Sequence, residues 1–202
     1  MLTIALPKGR IADETLGLFK KIYGEDFAFE GRELIMEKSG FRFLNVRNQD
    51  VPTYVLHGAA DLGISGLDVL NEREYPITTL LDLGIGKCNI MIGMKKGERI
   101  DPTKTSIRVA TKQENIAKAY FATKAMAVEV VKLNGSIELA PLVGLADAIV
   151  DIVETGTTMK ENGLEPIEKI MTSTAHLFAN KNSFVTRKKE ILALKEALRK
   201  VL

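Results

Sequence analysis

The sequence predicts an α/β protein with largely parallel sheets, built as two lobes. Short β-branched apolar runs alternate with amphipathic helical patterns along all 202 residues. The alternation ends near Gly86 and a second series of elements then begins. No internal repeat or low-complexity linker interrupts either series.

Residues 2–6 read as a strand, and 11–22 as an amphipathic helix with Ile11, Leu16, Leu18, Phe19 and Ile22 inward. Residues 33–37 and 41–46 read as two strands joined through Gly40. Asp50-Val51-Pro52 starts a helix, with Asp at the cap and Pro in the first turn, and His57-Gly58 ends it. Residues 61–66 form a strand leading into a loop. In the second series 88–94 and 106–110 are strands, and 114–124 is a helix carrying Ile116, Ala119, Tyr120 and Phe121. Apolar runs follow at 128–133 and 148–153. Residues 175–179 read as a strand, and 189–202 as a terminal helix with Ile191, Leu194, Leu198 and Val201 on one face. With that helix returning to the first lobe, lobe I is 1–87 plus 180–202 and lobe II is 88–179.

Composition excludes several classes of protein. The 28 basic and 26 acidic residues give a net charge of +2, which calls for no nucleic-acid partner. The cluster Arg187-Lys188-Lys189 opens a helical pattern and reads as a solvated face. The single cysteine, Cys88, has apolar neighbours, reads as a packed strand residue and fits a reducing compartment. The apolar start meets Pro7-Lys8-Gly9-Arg10 too early for a signal peptide, and no run reaches membrane-spanning length. A cytoplasmic location with no membrane contact is the expectation. His57 and His176 stand apart from other metal ligands, and no Walker loop or zinc motif is present.

The chemistry concentrates in DIVETGTTMKENG at 151–163. A strand carrying Asp151 runs into Glu154-Thr155-Gly156-Thr157-Thr158, and a short helix follows. Gly156 permits a turn, successive N–H groups and three threonine hydroxyls face one point, and the helix adds its positive end. Asp151 is placed to hold the hydroxyls of a sugar attached to the bound phosphate. TGTT by itself equally suits an ordinary turn and helix cap. Lys8-Gly9-Arg10, at the end of the first strand, suits an anion such as pyrophosphate. Arg32 and Arg47 equally suit surface charges beside strands. Ser65, Gly66 and Asp68 fall at a strand end and helix start, where spacing alone favours a structural cap for Asp68.

Four segments then match one family in order: LPKGRI at 6–11, DVPTYVLHGAADLGISGLDVL at 50–70, RVATKQENIAKAYF at 108–121 and ELAPLVGLADAIVDIVETGTTMKENGL at 138–164. The chain resembles the ATP phosphoribosyltransferases, in their short form, over essentially its whole length. The resemblance implies two lobes of the type II periplasmic-binding-protein kind, with an active site in the cleft between them. It implies that ATP and phosphoribosyl pyrophosphate condense through adenine N1, releasing pyrophosphate, in the first step of histidine biosynthesis. Asp151 would hold the ribose hydroxyls, Thr155, Gly156, Thr157 and Thr158 the 5-phosphate, and Glu154 would belong to the same phosphoribosyl pyrophosphate site. Lys8 and Arg10 would lie near the pyrophosphate, and Arg32 would reach a neighbouring subunit's site. Ser65, Gly66 and Asp68 would line the ATP side, while Glu138 and Asp147 support the loop. Mg²⁺ would bind mainly through substrate. Because the chain ends at Leu202, without the long form's histidine-binding domain, the resemblance implies catalytic homodimers that join a regulatory subunit resembling histidyl-tRNA synthetase, as a hetero-octamer. The rival readings are a cytoplasmic solute- or effector-binding module, which shares the lobed fold, and a phosphoribosyltransferase acting on another base.

Overall fold

The computed structural model describes residues 1–154 and 156–202. The chain forms two compact units, Met1–Lys87 with Thr174–Leu202, and Cys88–Ser173. In chain order the first unit contains β1 (Leu2–Pro7), α1 (Arg10–Tyr23), β2 (Ile35–Lys38), β3 (Phe41–Val46), α2 (Val51–Leu56), β4 (Leu62–Gly66), α3 (Leu67–Glu72) and β5 (Thr78–Asp82). The second contains β6 (Cys88–Lys95), β7 (Ser106–Thr111), α4 (Glu114–Thr123), β8 (Ala127–Lys132), α5 (Leu139–Leu142), β9 (Ala148–Val153), α6 (Thr157–Glu161) and β10 (Leu164–Ser173). The chain returns to the first unit as β11 (Ala175–Ala179), α7 (Lys181–Thr186) and α8 (Lys188–Arg199).

The first sheet has the order β2-β3-β1-β4-β11-β5. Only β3, β1 and β4 run parallel, so the sheet is mixed rather than largely parallel. One reason is local. Ser39 and Gly40 both have positive φ, 50° and 81°, which is the geometry of a tight two-residue hairpin, and it folds β2 back on β3. β1 is central and covered on both faces, which is why its apolar run does not alternate.

α1 buries Ala12, Leu16, Leu18 and Phe19, while Ile11 and Ile22 pack at the margin of the same core. Phe19 sits at its centre, edge-on to Phe43, Phe41 and Phe27 at ring separations of 5.0, 5.3 and 5.7 Å. α8 closes this core with Ile191, Leu194 and Leu198. Its approach is fixed by Asp61, which accepts from Thr3 N–H (2.9 Å), the Ser183 hydroxyl (2.8 Å) and Arg187 Nη1 (2.9 Å).

The sequence pattern puts residues 175–179 in the second lobe, and the structure corrects this. They form β11, paired antiparallel with β4 from Ala175 opposite Gly66 to Ala179 opposite Leu62. Main-chain pairing with β4 and β5 therefore assigns them to the first unit.

The second sheet has the order β10-β6-β9-β7-β8, with β9, β7 and β8 parallel and the other two strands antiparallel. One face buries Ile90, Ile92, Val109, Phe121 and Val150. The other buries Ala110, Ile137, Ala140, Ile149 and Met159. β10 carries no strand signal in its sequence because Pro166 interrupts it. The strand accommodates the proline by lying at a sheet edge, with register shifts at Pro166/Glu168 and Lys169/Met171. Among the described residues no helix is long and apolar enough to cross a membrane.

Phe19→Ala is expected to lower the unfolding free energy by about 3–5 kcal/mol in urea titration, since it empties the centre of a rigid aromatic cluster. A loss below about 1 kcal/mol would remove Phe19 from that role.

Candidate active site

β9 is fully buried through Ala148, Ile149 and Val150, and then emerges at Asp151, which is half-buried. One carboxylate oxygen of Asp151 accepts the N–H of Ile152 at 2.9 Å. The chain then turns so that Gly156, at φ 79°, precedes the first turn of α6. A Cβ there would meet only Val153, at an ordinary 3.7 Å. The position therefore asks for glycine because of its left-handed backbone, not for want of space. Met159 is buried and anchors α6 to the sheet, and Asn162 donates to the Thr158 carbonyl at 2.9 Å before Gly163 turns the chain at φ 71°. Thr155 lies outside the described residues.

These elements enclose a cavity of about 350 Å³ lined by Glu138, Asp151, Ile152, Val153, Glu154, Gly156, Thr158 and Met159. Thr157 begins α6 and is exposed, but does not line the cavity. A helix start directs N–H groups outward, which suits an anion, and Asp151 offers an acceptor for hydroxyls beside it. Burial pushes the Asp151 carboxyl above the usual carboxylate range. The Ile152 N–H and the Lys112 charge pull it back, and Glu138 raises it further.

The two supporting acids separate. Glu138 immediately precedes α5 and lines the cavity. Asp147 does not line it. Its carboxylate accepts Arg108 N–H at 2.8 Å while its own N–H donates to the Arg108 carbonyl at 2.8 Å, so it aligns β9 with β7. Lys112, just past the end of β7, lies within the family-matching segment 108–121 but is not among the site residues read from the sequence. Its approach to Asp151 depends on the β7–β9 pairing, which joins residues some forty apart in the chain.

In the first unit Lys8 follows β1, its N–H bonded to the Val46 carbonyl at 2.8 Å. Gly9, at φ 93°, starts α1 by accepting from Ala12 and Asp13. An open cavity of about 520 Å³ is lined by Lys8, Gly31, Arg32, Glu33, Leu34 and Asn45, so Lys8 and Arg32 come together. Arg10 does not line it. Its guanidinium lies 3.4 Å from Glu14 and 3.5 Å from the Lys87 carbonyl. Ser65 is fully buried and donates its hydroxyl to Asn48 Oδ1 at 2.7 Å. Gly66 precedes α3, and Asp68 is buried in its first turn. Lys8, Ser65 and Gly66 thus cluster at the carboxyl ends of the parallel strands β1 and β4, where open α/β sheets bind ligands.

Fold and cavity together define the class: a two-unit α/β protein with a carboxylate and a glycine-started helix arranged to suit a phosphorylated sugar. A family model described as ATP phosphoribosyltransferase matches residues 47–200. The chain is 66% identical to an ATP phosphoribosyltransferase of Sulfurovum sp. (strain NBC37-1), covering 100% of this chain and 98% of the relative. It is 59% identical to one of Campylobacter fetus, with 100% of both chains covered. Among solved structures it is similar to a chain of the ATP phosphoribosyl transferase (HisG:HisZ) complex from Thermotoga maritima, with TM-score 0.84, 36% identity, and 100% and 98% of the two chains covered. The chain belongs to the ATP phosphoribosyltransferase family. It is a pentosyltransferase of histidine biosynthesis, with the type II periplasmic-binding-protein fold.

The raised pKa of Asp151 has a consequence for stability. The folded state holds this proton more tightly than the unfolded chain, so the group costs stability as pH rises from the ordinary carboxylate range through its folded pKa. Asp151→Asn should therefore be more stable than wild type at pH 7, with a gain that shrinks toward about pH 4, as denaturant titration at both values would measure. A gain independent of pH would contradict the assignment.

Proposed function

We propose that the cavity at Asp151 and α6 holds the ribose and 5-phosphate of phosphoribosyl pyrophosphate. The observation that carries this reading is a half-buried carboxylate set directly before a glycine-started helix. Asp151 accepts from the ribose hydroxyls. Gly156, Thr157 and Thr158 surround the phosphate, Thr155 is assigned with them on sequence alone, and Glu154 lines the same cavity. Glu138 and Asp147 support the loop, Asp147 by aligning β9 with β7 through Arg108. On the other substrate, Gly66 and Asp68 serve the ATP side. Ser65 acts there by shaping the β4 end, since its hydroxyl is already donated.

In the reaction, the lone pair of adenine N1 forms a bond to ribose C1 as the C1–O bond breaks, and that electron pair leaves with pyrophosphate. N1 needs no deprotonation, so the demand falls on orientation and on cations that stabilise the departing pyrophosphate. Lys8, Arg10 and Arg32 fill this role, with Lys8 following β1 and Arg10 opening α1 in support. Arg32 is assigned to a neighbouring subunit's site in a homodimer.

Among the described residues no group of three or more His, Cys, Asp and Glu is arranged to hold a metal. The separated carboxylates Glu138, Asp151 and Glu154 fit Mg²⁺ bound mainly through substrate oxygens and water. Such an ion supplies neutralisation of pyrophosphate charge. The Thermotoga chain was solved in a HisG:HisZ complex. We extend that assembly to this chain as a hetero-octamer with a regulatory subunit resembling histidyl-tRNA synthetase, acting in the cytoplasm. The non-catalytic binding module is not favoured, because relatives at 66% and 59% identity are named as transferases.

Incubation with ATP, phosphoribosyl pyrophosphate and Mg²⁺ should give an adduct absorbing to the red of ATP. Its absence, with the regulatory subunit also supplied, would defeat the reading. Arg10→Ala and Arg32→Ala should each lower the single-turnover rate by roughly 100-fold, with a smaller effect on phosphoribosyl pyrophosphate affinity. Unchanged single-turnover rates in both variants would remove the arginines from the leaving-group role.

A further inference from the structure

The sugar-phosphate cavity has an unbalanced charge. Its described lining contains three carboxylates, Glu138, Asp151 and Glu154, and no lysine or arginine. An anionic substrate entering such a cavity meets like charge, and burial already penalises the ionised form of Asp151. A short helix start offsets part of this, but a full positive charge lies beside it.

That charge is Lys112. β7 and β9 run parallel with Ala110 opposite Ile149 and Thr111 opposite Val150. Ala110 and Ile149 belong to the core cluster that also contains Ile137 of the α5 approach and Met159 of α6. β7 ends at Thr111, opposite Val150, so Lys112 and Asp151 are the next residues at the neighbouring exits of the two parallel strands. The Thr111 hydroxyl fixes this exit. It donates to the Val150 carbonyl at 2.7 Å and accepts the Gln113 N–H at 2.8 Å. Lys112 itself is exposed, and the nearby acid Glu114 is already engaged by Lys118 and Lys132.

We propose that Lys112 is the positioning cation of this cavity: at the exit of β7, next to the exit of β9, its charge offsets the three acids so that a phosphorylated sugar can enter. The inference rests on the reading of the cavity as the ribose phosphate site. The groups facing Asp151 are Lys112 from the end of β7 and Glu138 from the start of α5. Across the sheet β6 presents Met91, and α6 presents Thr158 and Met159, none of which titrates near neutrality. Glu154 shares the cavity. Lys112 acts through Asp151 and the local potential, and is distinct from the cations assigned to pyrophosphate.

The test uses the full chain with Lys112→Met, which keeps the stem and removes the charge. A cation beside a carboxylate lowers its pKa, so its loss raises that of Asp151. The KM for phosphoribosyl pyrophosphate should rise by roughly tenfold, and the acid limb of its kcat/KM profile should move to higher pH. The KM for ATP should stay at the wild-type value, and Lys112→Arg should restore both the phosphoribosyl pyrophosphate KM and the acid limb. An unchanged phosphoribosyl pyrophosphate KM, or an unmoved acid limb, in Lys112→Met would overturn the proposal. Asp151→Asn in the same assay separates the two levels. If it loses phosphoribosyl pyrophosphate affinity while Lys112→Met does not, only the lysine's role fails. If Asp151→Asn also binds normally, the cavity itself has been misread.

Discussion

The feature on which the site depends is a carboxylate carried at the exit of a buried central strand. β9 is covered on both faces through Val150, so packing of the strand positions Asp151, together with the Ile152 N–H that its carboxylate accepts. The same packing withholds water from it and raises its pKa. A solvated acid would ionise easily, but it would be neither fixed in place nor released from competition with water. Asp151 is fixed at the cost of partial desolvation, and the surrounding groups divide into those that relieve the penalty and those that add to it. Strain for function of this kind is tolerated where the scaffold is over-determined. Here the pairing of β9 with β6 and β7 over-determines it.

The other candidate groups follow the same logic at a different sheet. Parallel strands direct their carboxyl ends one way, and the residues just beyond β1 and β4 collect cations and a helix start there. Lys8 is held by its backbone to β3, and the loop bearing Arg32 brings a second cation into the same cavity. A reaction in which adenine N1 attacks with its existing lone pair needs no histidine or cysteine base. It needs anions held still and negative charge stabilised as it develops, and helix starts, lysines and arginines do this.

Much of this architecture is legible in the amino-acid sequence. β1, α1, β9 and α8 declare themselves because their burial is either complete or strictly one-sided, and each pattern fits in a single window of sequence. The cradle at 151–163 is legible for the same reason: acid, glycine and helix lie within one short segment. β10 is not, since Pro166 and two register shifts break its periodicity. The membership of β11 is not, because the strand's partners β4 and β5 lie about a hundred residues earlier. Lys112 is the instructive omission. As a residue type it is an ordinary surface lysine, and only the parallel register of β7 with β9 sets it beside Asp151. Ser65 shows the converse. Its motif suggests a ligand contact, while its hydroxyl is used to tie β4 to Asn48.

The most direct measurement is a crystal structure of the chain with phosphoribosyl pyrophosphate and Mg²⁺. The 5-phosphate is expected against the first turn of α6, with the ribose hydroxyls donating to Asp151. The 5-phosphate seated in the Lys8–Arg32 cavity, with Asp151 making no contact to the sugar, would contradict this assignment.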